Sequence, residues 1–129
     1  MQNRPRMTIS ALLAALALNA GSAQAWTAQN DFRVDGDAAG FEVLSKGGGG
    51  APAFWCAAGD FASKVLGLGP TDRVWRVSEP PRAGGEGIRF ALSPDGAASK
   101  TGLLIWQEKD ASVSVAMAVQ FCWNPKADL

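Results

Sequence analysis

The sequence predicts a small α+β domain in which an antiparallel β-sheet of about five or six strands packs against one α-helix, with a single disulfide. Three observations lead to this prediction. Apolar residues recur with the 3.6-residue period of a helix in one segment. They recur with the two-residue period of strands in several other segments. The chain also contains two cysteines, Cys56 and Cys122.

Residues 1–25 have the features of a secretory signal peptide. Two arginines precede an apolar run from Ile9 to Leu18, and Ala23-Gln24-Ala25 fits the small-residue cleavage site. The run is too short to span a bilayer, since spanning needs about 20 apolar residues. We therefore expect cleavage after Ala25, one mature domain at residues 26–129 without a membrane span, and a periplasmic or secreted location.

The first half of the mature chain predicts a hairpin followed by a helix. Short strands are expected at Phe32 to Val34 and at Phe41 to Leu44, with turn residues between them. After a glycine-rich break, one helical stripe contains Phe54, Ala58, Phe61, Ala62, Val65 and Leu66. Asp60 and Lys64 form an i, i+4 pair on the opposite side, and Gly67 fits a C-terminal cap.

The second half predicts strands. Val74 to Val77 places Trp75 and Val77 on one face, and Ile88 to Leu92 forms a further strand. A final hairpin is expected from Leu103 to Gln107 and from Ser112 to Trp123, the latter being the clearest alternation in the chain.

An exported chain with two cysteines predicts one disulfide, Cys56–Cys122. The predicted positions of the two cysteines are difficult to reconcile with this disulfide. A helical wheel places Cys56 away from the apolar stripe, whereas Cys122 lies on the small-residue face of the last strand. Either the helix begins irregularly or the strand bends, and both alternatives stay open at this stage.

Composition excludes several functions. Without histidine, the chain lacks the commonest general base and the commonest transition-metal ligand. Loss of two leader arginines leaves ten basic and twelve acidic residues, a net charge of −2. That balance argues against binding nucleic acid or anionic membranes by charge. We predict no cofactor, no metal site and no catalytic residue.

Three motif matches are interpreted as coincidental. The segment from Lys46 to Gly50 lacks the spacing of a phosphate-binding loop and predicts a flexible connector. Lys100-Thr101-Gly102 matches a β-lactamase triplet without its nucleophile motif. Asp35-Gly36-Asp37 resembles the start of a calcium loop but predicts an ordinary turn.

Three tryptophans are candidates for a binding surface: Trp26 at the mature terminus, Trp106, and Trp123 at a strand end. They favour a non-enzymatic binding domain that recognises a protein or a cell-envelope component. One alternative is a small hydrolase or lyase that uses two carboxylates from among four acids. The other is a structural envelope protein. The four acids are Asp60, Glu79, Glu86 and Glu108.

Several segments resemble a group of small exported proteins of alphaproteobacteria. The central segment, aromatic-Trp-Cys-Ala-Ala-Gly-acid-aromatic-Ala, lies here at Phe54 to Ala62, and a second cysteine lies near the C-terminus. The resemblance implies export, pairing of Cys56 with Cys122 and a periplasmic setting, but no catalytic residue. This chain continues past Cys122 to Leu129, whereas the group tends to end near its cysteine. Further similar segments are Phe41-Glu42-Val43, the glycine-rich break, Leu66-Gly67, Arg73-Val74 and Phe90 to Pro94.

Overall fold

The computed structural model describes residues 25–123. The expected signal peptide therefore lies, apart from Ala25, outside the described residues, as does the tail after Trp123. The elements in chain order are β1 (Trp26–Thr27), β2 (Arg33–Asp37), β3 (Gly40–Val43), α1 (Ala51–Lys64), β4 (Arg73–Arg76), β5 (Ile88–Ala91), β6 (Ser112–Ser114) and α2 (Val115–Gln120).

The six strands form one antiparallel sheet in the order β1-β2-β3-β5-β4-β6. The α+β class, the six-stranded sheet and the disulfide are as predicted, and the structure adds a second helix. The hairpin β2–β3 pairs Val34 with Val43. Gly36 of β2 pairs with Phe41 and has a φ of +132°, and a Cβ there would lie 2.6 Å from the Cα of Phe41, so this close approach of the two strands requires glycine.

Helix α1 lies between the sheet and α2 and is buried over most of its circumference. Every residue from Phe54 to Ala62 is buried, because the sheet covers one side and α2 covers another. A helix that is apolar almost all round is typical of such a central position. The helix ends at Lys64, and Gly67 follows with a φ of +72° while Leu68 donates from its backbone to the Ala62 carbonyl, 2.9 Å.

The predicted final hairpin is wrong. The segment from Leu103 to Gln107 is a loop, and the expected long strand from Ser112 to Trp123 is the short β6 followed by α2. Ser114 ends the strand because its hydroxyl accepts from the Met117 backbone N–H at 3.1 Å and caps the helix.

The disulfide Cys56–Cys122 joins α1 to the turn after α2, with the two Cα atoms 4.9 Å apart. This arrangement resolves the poor fit between the predicted cysteine positions. The partner segment is a helix that covers the side of α1 on which Cys56 lies. Close packing continues along the helix pair, since a Cβ on Gly59 would lie 2.7 Å from the Cβ of Ala118.

Beyond this tie, the N-terminal segment is held to α1 by Asp60. This carboxylate is 2% exposed and accepts from the backbone and side-chain N–H groups of Gln29, at 2.8 and 3.2 Å. It also forms the predicted ion pair with Lys64, 2.8 Å.

In the described part of the chain, no helix has the length and apolar character that a bilayer crossing requires.

Candidate functional site

Arg76 occupies a core position of the sheet. In β4 the buried residues are Val74 and Arg76, whereas Trp75 on the other face is half-buried. The Arg76 side chain is only 2% exposed. It therefore points to the same side of the sheet as α1, where an apolar residue would be usual.

The buried guanidinium lies at the wall of an open cavity of about 400 Å³, which we call the basic cavity. Its three cationic side chains come from three different segments: Arg76 from β4, Arg82 from the following loop, and Lys100 from the loop before β6. The remaining lining residues are Gly50 and Ala51 at the start of α1, Pro80, Pro81, Ile88 and Gly102.

Arg76 is hydrogen-bonded to carbonyl oxygens but not paired with a carboxylate. Its Nε donates to the Ser78 carbonyl at 2.7 Å, and its Nη1 donates to the Thr101 carbonyl at 3.1 Å. Within residues 25–123 the one ion pair is Lys64–Asp60, at the other end of α1. Burial lowers the pKa of Arg76, an effect that the charge of Glu79 opposes and that of Arg82 reinforces.

Thr101 fixes the position of the Arg76 guanidinium. Its carbonyl also accepts from the Trp55 indole N–H at 3.1 Å, so the loop is anchored to the middle of α1. Gly102 follows with a φ of +81°, and a Cβ there would touch Nη1 of Arg76. The glycine is therefore required both by its backbone conformation and by the close approach of the guanidinium.

Arg82 and Lys100 complete the cationic side of the basic cavity. The Arg82 guanidinium lies 4.7 Å from the centre of the Phe54 ring, and its Nη1 donates to the carbonyls of Ala83 at 3.2 Å and Glu86 at 2.9 Å. These contacts hold Arg82 in place while leaving other N–H groups free. Lys100 is exposed at the cavity.

The start of α1 adds to the positive potential of the basic cavity. Its N-cap is Gly50, which supplies no side-chain cap, and the first turn contains no acidic residue. The positive end of the helix dipole is therefore not compensated by a local carboxylate. The preceding glycine-rich segment was interpreted as a plain connector, and the structure brings its last residue, Gly50, to the cavity.

Of the three tryptophans singled out from sequence, Trp106 and Trp123 are 88% and 76% exposed. Trp26 is half-buried, with its ring centre 5.8 Å from that of Phe61. Trp106 shares the loop after Gly102 with Leu104, which is 75% exposed. Glu108 closes this loop by accepting from the Thr101 backbone N–H at 2.8 Å. The binding role of all three tryptophans stays a prediction.

The four carboxylates considered for acid–base chemistry lie in separate surroundings. Asp60 binds Gln29 and Lys64, as described above. Glu79 accepts from the backbone and hydroxyl of Ser99, both at 2.7 Å. Glu108 holds the Thr101 backbone, and Glu86 lines an open cavity of about 590 Å³ beside β3. The structure does not bring these four together as a catalytic pair.

A different set of acids lines a cavity of about 420 Å³ on the outer face of the sheet. Asp35 and Glu42 are cross-strand neighbours there, and Arg89 opposes Glu42 on the next strand. In residues 25–123, no group of three or more acids and cysteines is arranged to hold a metal ion. The prediction that Asp35-Gly36-Asp37 forms a turn is wrong, because the segment is the end of strand β2 and pairs with β3; the turn follows at residues 38–39, where Asp37 accepts from the Ala39 backbone N–H at 2.9 Å.

The sequence interpretation missed Arg76. The alternation around β4 places the apolar residues Trp75 and Val77 on one face of the strand. Arg76 lies on the opposite face, which this apolar pair does not indicate as the buried one. The available signal was the alignment of Val74 with Arg76, since Val74 is the apolar residue that the structure buries.

No protein-family model, curated protein or solved structure matches this chain.

Proposed function

We propose that this chain is an exported, non-enzymatic binding domain whose ligand occupies the basic cavity. The observation that carries the proposal is the Arg76 guanidinium, 2% exposed and without a carboxylate partner in the described residues, at the wall of a cavity of about 400 Å³. Cavities of roughly 300–1,000 Å³ are the usual size of small-molecule sites.

A buried charge that is not paired with a carboxylate is costly, which favours a ligand-binding role for Arg76. Hydrogen bonds to the carbonyls of Ser78 and Thr101 satisfy part of the guanidinium, and the charge of Glu79 acts on it without forming an ion pair. Apolar residues are the usual occupants of core positions, and replacing buried ionic groups by apolar ones is often neutral or stabilising. We therefore interpret Arg76 as retained for contact with a ligand.

Export is supported by the N-terminal pattern and by the disulfide. Two arginines, the apolar run and the cleavage site precede residue 26 in the order that export requires. Disulfides form and persist in oxidising compartments, and Cys56–Cys122 joins two elements of the core. The proposal covers cleavage after Ala25 and a periplasmic or secreted mature form.

Native mass spectrometry of protein recovered from the exported fraction of its own host tests the proposal. We expect a mature mass that begins at Trp26 and an additional mass that is lost on denaturation. A matched sample of Lys100→Trp, whose bulky side chain would obstruct the cavity from an exposed position, should lose that additional mass while keeping the mature mass. A full-length mass that begins at Met1, or a mature mass with nothing bound, would contradict the proposal.

The exposed loop beside the cavity supports a second candidate function, attachment to a protein or a cell-envelope component. Leu104 and Trp106 are 75% and 88% exposed, which is unusual for large apolar side chains on one short loop. Retention of purified protein on isolated envelopes should fall in Leu104→Ser/Trp106→Ser and stay unchanged in the control Val65→Ser, whose valine is also exposed. Equal retention of both variants would exclude this surface.

A further inference from the structure

We infer that the basic cavity binds the phosphate group of a small organic phosphate ester, held by Arg76, Arg82 and Lys100. This inference rests on the proposed function, since it names the ligand of the same site. It is argued from the number of charges around the cavity, from the hydrogen-bond donors that remain free, and from the character of the other walls.

The charges around the cavity are unbalanced. Among residues 25–123, three cations and no acidic residue line it. Glu79 acts on Arg76 by its charge, but its two carboxylate oxygens accept from the backbone and the hydroxyl of Ser99, each at 2.7 Å. Even with Glu79 counted, the local charge is about +2, which a doubly charged anion balances and a single carboxylate does not. A phosphate ester carries a charge of about −1.5 to −2 at neutral pH.

The N–H groups of Arg76 that make no hydrogen bond within the protein suit an oxyanion ligand. A guanidinium has five N–H groups, of which Arg76 uses one on Nε and one on Nη1 for the carbonyls of Ser78 and Thr101. Three N–H groups at the tip of the side chain remain, enough for the two parallel hydrogen bonds that arginine makes to phosphate. Because both carbonyls and the close approach of Gly102 fix the guanidinium, little side-chain entropy is lost on binding.

The remaining walls suit an organic group attached to the phosphate. Pro80, Pro81 and Ile88 are apolar, and the cavity of about 400 Å³ falls in the usual range for small organic ligands rather than for an ion alone. The start of α1, with Ala51 as its first residue and no acidic residue in its first turn, adds a favourable dipole. We therefore expect an ester to bind more tightly than inorganic phosphate.

Titrations followed by ¹H–¹⁵N NMR at constant ionic strength test the inference on the mature, disulfide-bonded chain. The probes are phenyl phosphate, inorganic phosphate and benzoate. The signals to follow are the Arg76 Nε–H, the Gly102 amide and the Trp55 indole N–H, with the Asp37 amide as a distant reference. We expect phenyl phosphate to shift the first two, to bind more tightly than inorganic phosphate, and to bind at least about tenfold more tightly than benzoate.

Charge-matched variants separate specific contacts from overall charge. Arg82→Gln/Lys100→Gln should weaken phenyl phosphate binding by about tenfold or more. Arg89→Gln/Lys109→Gln removes the same charge from other surfaces and should change binding by less than about twofold. Lys100→Gln alone is the safeguard against misfolding, because the lysine is exposed and should still weaken binding measurably.

Binding of benzoate as tightly as phenyl phosphate, tighter binding of inorganic phosphate than of the ester, or equal losses in the two double variants would each overturn the inference. Failure of the inference can be distinguished from failure of the proposed function. If mass spectrometry of the exported protein finds an uncharged or carboxylate ligand that is lost in Lys100→Trp, the binding function holds and the phosphate inference is wrong. If nothing is retained and no probe shifts the cavity signals, both are wrong.

Discussion

Replacing Gly59 by alanine tests how closely the two helices are held together. Alanine is the best helix former, so in an isolated helix this change would stabilise by about 1 kcal/mol. In this fold the new Cβ would lie 2.7 Å from the Cβ of Ala118, 3.1 Å from the Val119 nitrogen and 3.2 Å from the Ala118 carbonyl carbon. Two of these three neighbours are backbone atoms, which cannot move aside by a change of rotamer.

The expected net effect is destabilisation by about 2 kcal/mol. Overpacking a well-packed core costs about 1–3 kcal/mol, and the upper end applies here because the helices cannot easily separate. The disulfide holds the Cα atoms of Cys56 and Cys122 4.9 Å apart, about one helical turn from Gly59. Subtracting the gain of about 1 kcal/mol in helix propensity leaves about 2 kcal/mol, which corresponds to a fall in Tm of roughly 10 °C for a domain of this size.

Thermal unfolding followed by circular dichroism measures the effect, with two further variants. Ser63→Ala lies on an exposed position of the same helix and should leave the Tm unchanged or slightly raised. Gly59→Ala/Ala118→Gly removes the Cβ of Ala118 and should lose less stability than the two single changes added together. A Tm for Gly59→Ala at or above that of the wild type would refute the packing argument, since helix propensity would then outweigh the close approach.

Three further predictions concern the disulfide, a surface carboxylate and the exposed loop. Reducing the Cys56–Cys122 bond, which closes a loop over a sequence separation of 66, should lower the free energy of unfolding by about 4 kcal/mol, and an unchanged denaturant midpoint under reductant would contradict this. A hydrogen bond from the Ser112 hydroxyl lowers the pKa of Asp110, so the stabilisation from the ionised carboxylate is complete above its unfolded-state pKa and is lost as pH falls through the lower folded-state value. The difference in Tm between wild type and Asp110→Asn should therefore shrink from pH 7 to pH 2, and a constant difference would refute the linkage. Trp106→Ala should change the free energy of unfolding by less than about 0.5 kcal/mol, because the side chain is 88% exposed, and chemical denaturation checks this.

Local patterns predicted the elements whose apolar residues recur with a simple period in the sequence. The hairpin β2–β3, helix α1, and strands β4 and β5 all lie where the alternation or the helical stripe placed them, within a few residues. In these segments most buried residues are apolar, with Asp60 in α1 and Arg76 in β4 as the charged exceptions, and turn residues mark the ends. Local sequence and tertiary packing therefore favour the same structure.

The C-terminal segment was predicted wrongly because its pattern satisfies a strand as well as a helix. Apolar residues alternate from Val113 to Trp123, yet small Ala118 packs against Gly59 and the disulfide requires Cys122 beside α1. These tertiary contacts override the alternation, and the Ser114 cap marks the change from strand to helix. The capping serine was the local signal for the change, but it precedes no distinct helical stripe.

The candidate site was less predictable than the fold. Arg76, Arg82 and Lys100 are separated by loops, and nothing in their spacing indicates that they line one cavity. The carbonyl of Thr101 that fixes Arg76 is a backbone group, which leaves no signature in the sequence. Trp106 and Trp123 are exposed, but not at the predicted positions: the strand expected around Trp106 is a loop, and Trp123 follows α2 instead of ending a strand.

The burial of α1 on two sides limits when the core can form as the chain is synthesised. The segment that covers the Gly59 side of α1 is α2, and its covalent tie is at Cys122, almost the last residue that the structure describes. A nascent chain that ends before residue 112 lacks both β6 and α2, and its central helix has an apolar side with no partner. Full covering of the central helix therefore requires residues 112–122, whichever of the earlier strands pair first.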